Sequence, residues 1–201
     1  RDATQTEDCP LNHLSGWRIS DKIFNETTED WIQNMNPPLR PGESVFEMGC
    51  GVGAVLIYIS KLYDDLTISG SDFSINAINK IKSLFVGCNF YCQNMTSSHP
   101  VSTNSQDHVI SAGALAMYLY KNEMCIAIKE AVRMTKPGGS LGFTHFLENK
   151  GKYRRSIVEK VDKQYWLDNQ DELGIENISF FTIKHQHDRY GFVCNKKLKA
   201  T

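Results

Sequence analysis

Short apolar runs along the chain alternate with longer segments in which apolar residues recur at helical spacing. We predict buried strands from the runs at residues 44–48, 66–71, 89–92, 108–111 and 140–146. Helical spacing falls at 54–62, 75–85 and 122–135, after a first helix that runs from Asp21 to the stop at Asn36-Pro37-Pro38. Such alternation predicts parallel strands joined by crossover helices.

The last part of the chain follows a different pattern. Residues 153–166 are amphipathic and predict a helix, and residues 178–184 and 189–194 predict an antiparallel pair of strands. We therefore expect the α/β class, with a doubly wound, mostly parallel seven-stranded sheet and an antiparallel C-terminal hairpin. The 201 residues predict one domain: an N-terminal arm and lid helix (1–40), a ligand-binding core (41–147), and a helix with the hairpin (148–201).

The net charge and the composition of the chain limit the kinds of binding partner that we expect. The formal net charge of −1 gives no reason to expect nucleic acid or an anionic membrane surface as a partner. We find no apolar run of membrane-spanning length and no leader segment, and we expect a cytoplasmic monomer or homodimer. The six cysteines are scattered without zinc-type spacing, so they predict free thiols and no metal site.

The stretch FEMGCGVGA, residues 46–54, marks the candidate ligand site. Its three glycines follow the first predicted strand, where glycine permits a left-handed backbone and close approach of a ligand. The helix that follows offers free N–H groups. Two patterns fit: the dinucleotide fingerprint Gly49-x-Gly51-x-x-Ala54, and the pattern E-x-G-x-G-x-G from Glu47 to Gly53. In both, Asp72 at the end of the second strand suits a ribose diol.

Two features favour the second pattern. The carboxylate of Glu47 attracts a cationic amino acid group, whereas it repels a pyrophosphate. After Gly139 the chain has one strand, a helix and a hairpin, instead of a second mononucleotide-binding half with a catalytic domain. An NAD-dependent oxidoreductase is therefore the disfavoured alternative.

With these motifs the sequence resembles the class I S-adenosylmethionine-dependent methyltransferases. The resemblance rests on residues 45–54, on Asp72 with Phe73-Ser74, on QDHVISAGALAMYL (106–119) and on RMTKPGG (133–139). It implies that Glu47 and the glycine backbone hold the methionine moiety of the cofactor, that Asp72 binds both ribose hydroxyls, and that Phe73 and Asn94 contact adenine. The implied cofactor-binding residues are Glu47, Gly49, Cys50, Gly51, Gly53, Asp72, Phe73, Asn94, Met95 and Ser111, with Cys50 as a small loop residue and Ala112 beside Ser111.

Candidates on the acceptor side follow the fourth and fifth strands or precede the first. His145 is a candidate base or substrate anchor, with a structural histidine as the alternative. Tyr118 is a candidate catalytic and substrate-binding residue. Trp17, with Arg18 and Trp31, is a candidate lid over the substrate, although a core position is the ordinary reading of Trp31.

The additions to the implied core are small, and the segment after the fourth strand reads SAGA, without the N/D-P-P-Y/F/W motif of enzymes that methylate exocyclic base nitrogens. We therefore expect methyl transfer from S-adenosyl-L-methionine to an O, N or S atom of a small metabolite, with S-adenosyl-L-homocysteine as product and no metal. The alternatives are a protein or peptide N-methyltransferase and a non-catalytic cofactor-binding partner module.

Overall fold

The computed structural model describes residues 21–146, 161–184 and 189–198, without the side chains of Asp21, His145, Phe146 and Arg189. The strands of this part of the chain are β1 (Ser44–Met48), β2 (Thr67–Asp72), β3 (Asn89–Cys92), β4 (Gln106–Ser111), β5 (Thr135–Phe146), β6 (Ile175–Thr182) and β7 (Arg189–Lys196). Its helices are α1 (Asp21–Gln33), α2 (Ala54–Leu62), α3 (Ile75–Leu84), α4 (Ala114–Tyr118), α5 (Lys121–Met134), α6 (Lys163–Asp168) and α7 (Gln170–Leu173).

The strands form one sheet in the order β3-β2-β1-β4-β5-β7-β6. Strands β1 to β5 run parallel to their neighbours, while β7 pairs antiparallel with both β5 and β6. The predicted doubly wound sheet with its antiparallel hairpin is confirmed. The order reverses between β1 and β4, and in such sheets ligands bind beyond the carboxyl ends of the strands at that point.

Helices cover both faces of the sheet. Helices α1, α2 and α3 bury Phe24, Leu56 and Ile81 in one apolar cluster with Val45 and Ile110 of the sheet. On the opposite face, the core contains Ile128 of α5 and Trp166 of α6. Since alternate residues of a strand point to opposite faces, both clusters draw on the same strands.

The start of β5 differs from the prediction. The sequence predicts this strand from residue 140, but the strand begins at Thr135. Regular pairing is interrupted between Gln106 and His108 of β4 and resumes opposite Ser140. Gly139 is required there, because a side chain would collide with the carbonyl oxygen of Asp107.

The predicted helix at 153–166 is confirmed over residues 163–166, where α6 begins. Val161 and Asp162 are not helical, and the Asp162 side chain accepts a hydrogen bond from the Tyr165 N–H at 2.8 Å, which starts α6. Residues 153–160 lie outside the described residues. Ile75, the first residue of the predicted helix at 75–85, is 55% exposed. The short helices α4 and α7 have too few turns to produce a periodic sequence signal.

A polar network ties β1, β4 and β5 together at the amino end of the sheet. Ser44 donates from its backbone N–H (3.0 Å) and its hydroxyl (2.7 Å) to the Asp107 carboxylate, and Lys136 Nζ donates to both carboxylate oxygens. Partial burial raises the pKa of Asp107, but the hydrogen bonds from Lys136 and Ser44 outweigh it and lower the pKa from 3.8 to about 2. The native state therefore favours the ionised carboxylate.

We predict that Asp107→Asn lowers the free energy of unfolding at pH 7 by on the order of 2 kcal/mol. Because the folded pKa is lower than the unfolded one, this stabilisation is complete above about pH 4 and disappears as the pH falls towards 2. Urea denaturation between pH 2 and 7 measures it. Asp171→Asn, at the exposed Lys197 pair, is the control and should change little; an equal loss at every pH would contradict the prediction.

Candidate active site

Three glycines form the bend between β1 and α2, and all have positive φ: 73° at Gly49, 53° at Gly51 and 87° at Gly53. A side chain at Gly49 would collide with Ala114, and one at Gly53 would collide with Ile81. At Gly51 a Cβ would meet nothing within 4 Å. Gly49 and Gly53 thus allow Ala114 and Ile81 to pack closely against the bend, while open space lies beside the backbone at Gly51.

The amides of this bend are already used within the protein. Gly49 and Cys50 donate to the Ser71 carbonyl at 2.7 and 2.9 Å, and the Gly53 amide donates to the Cys50 carbonyl at 2.9 Å. Helix α2 begins without a side-chain cap, so the N–H groups of its first turn are left for a ligand. Cys50 itself is buried, as expected of a small loop residue, and burial raises the pKa of its thiol.

Glu47 is the residue before the last of β1 and is only 3% exposed. The Ala112 backbone N–H hydrogen bonds to its carboxyl group, but its Oε2 atom has no partner among the described residues. Burial, together with the nearby charge of Asp72, raises the pKa of Glu47 from 4.5 to about 8. A buried carboxyl without a cation is costly when ionised, so this position favours a positively charged ligand.

Asp72 ends β2 and turns its carboxylate towards the glycine bend. Its Oδ2 accepts from the Gly51 N–H, and its Oδ1 accepts from the Ser74 N–H, both at 2.9 Å. A carboxylate has about four acceptor positions, so both oxygens retain capacity for hydroxyl donors. Asp72 therefore holds the bend in shape and also presents acceptors at the carboxyl edge of the sheet.

An exposed pair of rings lies at the same edge. Phe73 is 71% exposed and Tyr118 is 63% exposed, and their rings meet edge to face with centroids 6.1 Å apart. Phe73 follows β2 and Tyr118 ends α4 after β4, so the pair joins the tips of the two strands that flank β1. Core packing, the ordinary alternative for Phe73, is excluded by its exposure.

Asn94 and Met95, which follow β3, make contacts within the protein. The Asn94 Oδ1 atom accepts from both the N–H and the hydroxyl of Thr96 at 3.0 Å, which occupies its two acceptor positions with a local turn. Its amide nitrogen is the group left for a ligand. Met95 is buried and reaches the underside of Gly49, so it packs below the bend as part of the core.

Ser111 ends β4 and is fully buried, and its hydroxyl has no partner among the described residues. A buried histidine that the sequence analysis did not identify lies behind the bend. The His99 Nε2 atom is 2.9 Å from the Ser71 Oγ atom, and its backbone N–H donates to Glu130 at 2.6 Å. Burial lowers the pKa of His99, and the ring supports the strand whose carbonyl holds Gly49 and Cys50.

The remaining acceptor-side candidates are only partly described. Trp17 and Arg18 lie outside the described residues. His145 pairs through its backbone with Tyr190 at the carboxyl end of β5, but its side chain is not described. Trp31 is 2% exposed and packs over Gly142, so the expectation that it forms part of a lid is wrong and the core reading is confirmed.

The site fits S-adenosylmethionine on three observations. One buried carboxyl oxygen of Glu47 has no hydrogen-bond partner among the described residues and can pair with a cation. Open space lies beside the backbone at Gly51. The acceptor oxygens of Asp72 lie on the neighbouring strand, β2. The uncapped start of α2 suits a carboxylate. The two carboxyl groups that border the bend disfavour a pyrophosphate.

A family model described as "Methyltransferase domain" matches residues 45–139. This match identifies residues 45–139 as a methyltransferase domain, and the sequence-based assignment to the class I S-adenosylmethionine-dependent methyltransferases is confirmed. The structure is similar to a methyltransferase of Haloferax volcanii in complex with the Trm112 methyltransferase activator, with a TM-score of 0.75 at 14% identity over 95% of this chain and 96% of that one. This likeness supports the fold.

Two curated relatives differ in the acceptor that they are named for. Phosphoethanolamine N-methyltransferase 1 of Zea mays is 25% identical over 86% of this chain and 35% of its own length. The tRNA N(3)-methylcytidine methyltransferase Mettl2 of Drosophila melanogaster is 29% identical over 69% of this chain and 48% of its own length. The chain thus spans less than half of either relative. Within its described residues, no helix has the length and apolar character needed to cross a membrane.

We predict that binding of S-adenosylhomocysteine, which carries the same ammonium group, becomes tighter as the pH rises from 6 to 8. Glu47 must lose its proton to pair with the ammonium, so affinity rises by at most about tenfold per pH unit and then levels off. Calorimetry in two buffers of different ionisation enthalpy should find about one proton released at pH 7. Glu47→Gln should abolish the proton release and weaken binding at pH 8.5, whereas Glu172→Gln, on exposed α7, should do neither.

Glu47→Gln, which should weaken ligand binding, should stabilise the ligand-free protein at high pH. A carboxyl whose folded pKa is raised binds more protons in the native state than in the unfolded state between about pH 4.5 and 8, so stability falls as the pH rises through that window. Glu47→Gln should remove this fall and raise the melting temperature at pH 8. A lower melting temperature with unchanged ligand affinity would contradict both expectations.

Proposed function

We propose that the protein transfers the methyl group of S-adenosylmethionine to an O, N or S atom of a small molecule and releases S-adenosylhomocysteine. The observation that carries this proposal is the buried Glu47 carboxyl with an oxygen that lacks a partner among the described residues. The family match supports the cofactor, while the acceptor is our inference from the charge of the chain.

Different residues of the described site bind different groups of the cofactor. Glu47 pairs with the ammonium group, and the first turn of α2 receives the carboxylate. Asp72 accepts from the ribose hydroxyls while it keeps its bonds to Gly51 and Ser74. Phe73 packs on the adenine, and the Asn94 amide nitrogen is left to donate to a ring nitrogen.

When bound, the cofactor supplies a methyl group on a sulfonium that is already activated for displacement. The protein's task is to align the acceptor behind that methyl group and to exclude water, which in well-oriented reactions contributes roughly 7–11 kcal/mol. A base is required only where the acceptor must lose a proton. His145 at the end of β5 is the residue we assign to that role or to anchoring the acceptor.

The alternatives concern the acceptor. The relatives are named for phosphoethanolamine and for a tRNA cytidine, and the first of these agrees with a small molecule. We favour a small molecule over tRNA because the net charge of −1 provides no excess of cations for a phosphate backbone. A protein or peptide amine and a non-catalytic cofactor-binding module are the other candidates.

We predict that calorimetry detects saturable binding of S-adenosylhomocysteine and that Asp72→Ala weakens it by at least about tenfold, the loss of about 1.4 kcal/mol. Asp171→Ala is the exposed control. Transfer of radiolabelled methyl groups should then be assayed on small amines, alcohols and thiols, on peptides and on tRNA. Absence of binding would refute the proposal; binding without turnover would favour the non-catalytic module, and turnover on tRNA would replace the acceptor class.

We predict that Tyr118 acts through its ring and not through its hydroxyl. If the ring covers the bound cofactor together with Phe73, Tyr118→Phe should retain the affinity for S-adenosylhomocysteine and the turnover. Tyr118→Ala should weaken binding by roughly three- to tenfold, in line with about 0.5–1.5 kcal/mol for an aromatic pair. Tyr120→Ala, at a 47% exposed tyrosine, is the matched control. A large loss of turnover in Tyr118→Phe would restore the catalytic role expected from the sequence.

A further inference from the structure

Four polar side chains between α1 and the sheet have atoms without partners. The hydroxyls of Thr28 and Thr144, the Asn25 Oδ1 atom and the Trp31 Nε1 atom are shielded from solvent and form no hydrogen bond with the described residues. Thr28 is 2% exposed and Thr144 is 4% exposed. Because buried polar groups are almost always hydrogen-bonded, four such atoms in one layer require an explanation.

The end of α1 fixes the direction in which this helix crosses the sheet. Just beyond it, the Asn36 carbonyl accepts from Asn195 Nδ2 at 2.6 Å. Asn195 pairs with Ser140, near the start of the regular part of β5. One turn earlier in the helix, Trp31 lies against the position that a Cβ would take at Gly142. Helix α1 therefore runs antiparallel to β5.

The first half of α1 lies at the carboxyl end of β5. The Thr27 hydroxyl donates to the Lys184 carbonyl at 3.0 Å, and Lys184 follows β6. The last residue of β6, Thr182, pairs with Tyr190, which pairs in turn with His145 of β5. Thr27 is thus level with the edge of the sheet where ligands bind.

Thr28 and Thr144 lie on opposite sides of the layer between α1 and the sheet, and both point into it. Thr144 is two residues after Gly142, so it points to the same face of the sheet, the one that α1 covers. Thr28 is three residues before Trp31 and shares its face of the helix. Their hydroxyls therefore lie in the layer between α1 and the carboxyl end of β5.

Asn25 and Glu47 border the same layer. Glu29 of α1 lies within 3.4 Å of the Tyr58 hydroxyl, and Asn25, one turn earlier, therefore lies on the flank of α1 that faces α2. Glu47 pairs in register with Ile110, and Ile110 pairs with Gly142, so Glu47 belongs to the row just below Thr144 on this face. The three groups therefore border the same face of the sheet as the carboxyl that we assign to the cofactor.

Resting on the proposed function, we infer that Asn25, Thr28 and Thr144 bind the methyl acceptor and select a hydroxyl- or amine-bearing molecule without a phosphate. All three lie outside residues 45–139, the part that the methyltransferase family model matches. The charges agree. The nearby cations Lys22 and Lys184 lie against Glu26 at 3.9 and 3.6 Å, so their charges are partly balanced within the protein.

The chain offers matched controls for a test. Thr27 is as buried as Thr28 on the same helix, and Thr135 is fully buried on the same strand as Thr144, but their hydroxyls donate to carbonyl groups at 3.0 and 2.8 Å. Each of the four is replaced by valine, which keeps the shape and removes the hydroxyl. Melting temperature, affinity for S-adenosylhomocysteine, and methyl transfer to ethanolamine and to phosphoethanolamine are measured for each variant.

We expect Thr28→Val and Thr144→Val to melt at or above the temperature of the unmodified protein, with cofactor affinity unchanged within twofold. The KM for ethanolamine should rise by about tenfold in each, the loss of one hydrogen bond. Thr27→Val and Thr135→Val should instead melt about 2–4 °C lower, with KM unchanged. The unmodified protein should prefer ethanolamine to phosphoethanolamine.

Several results would overturn the inference. A lower melting temperature in Thr28→Val and Thr144→Val would indicate structural hydrogen bonds, and an unchanged KM would show that the hydroxyls do not meet the acceptor. Preference for phosphoethanolamine, or transfer to neither compound by protein that binds S-adenosylhomocysteine, would refute the acceptor class. If the unmodified protein does not bind S-adenosylhomocysteine, the proposed function itself is refuted.

Discussion

A buried carboxyl group at the tip of β1 determines the character of the site. Glu47 lies where the sheet order reverses, beside Asp72 on the next strand, and one of its oxygens has no partner among the described residues. The free protein tolerates this position by retaining a proton, since its pKa is about 8. A cationic ligand replaces that proton, so the same group that destabilises the empty site above pH 4.5 provides binding energy when the site is filled.

The glycine bend is the second half of that arrangement. Its left-handed backbone brings the Gly51 N–H to the Asp72 carboxylate and leaves the start of α2 without a side-chain cap. The free N–H groups of α2 can bind an anionic group of a ligand, and the Asp72 carboxylate can bind its hydroxyl groups. The amides of Gly49 and Cys50 are held by the Ser71 carbonyl, and His99 supports that strand from behind. The bend is therefore rigid before any ligand arrives, which reduces the ordering cost of binding.

Features that depend on local sequence could be predicted, and features that depend on register could not. The glycines, the strand before them and the acidic end of β2 follow from residues that are close in the chain, and the structure has them within one residue of the expected bounds. His99 meets Ser71, and Asp107 meets Ser44, only because parallel pairing brings distant strands together. Trp31 and Phe73 were ambiguous because an aromatic residue beside a predicted site fits either a core or a ligand surface.

The division between shared and individual parts of the chain explains why the acceptor is harder to derive than the cofactor. Glu47, Asp72 and Phe73 fall within residues 45–139, where a common ligand imposes a common arrangement. Relatives named for phosphoethanolamine and for a tRNA cytidine match the chain at similar identity, 25% over 86% of it and 29% over 69% of it, so overall similarity does not identify the acceptor. Selectivity must arise from groups that the core does not fix, and buried hydroxyls on α1 and late in β5 are suited to it. A hydroxyl that lacks a partner in the free protein costs stability until it meets a substrate that supplies one, and it penalises any substrate that does not.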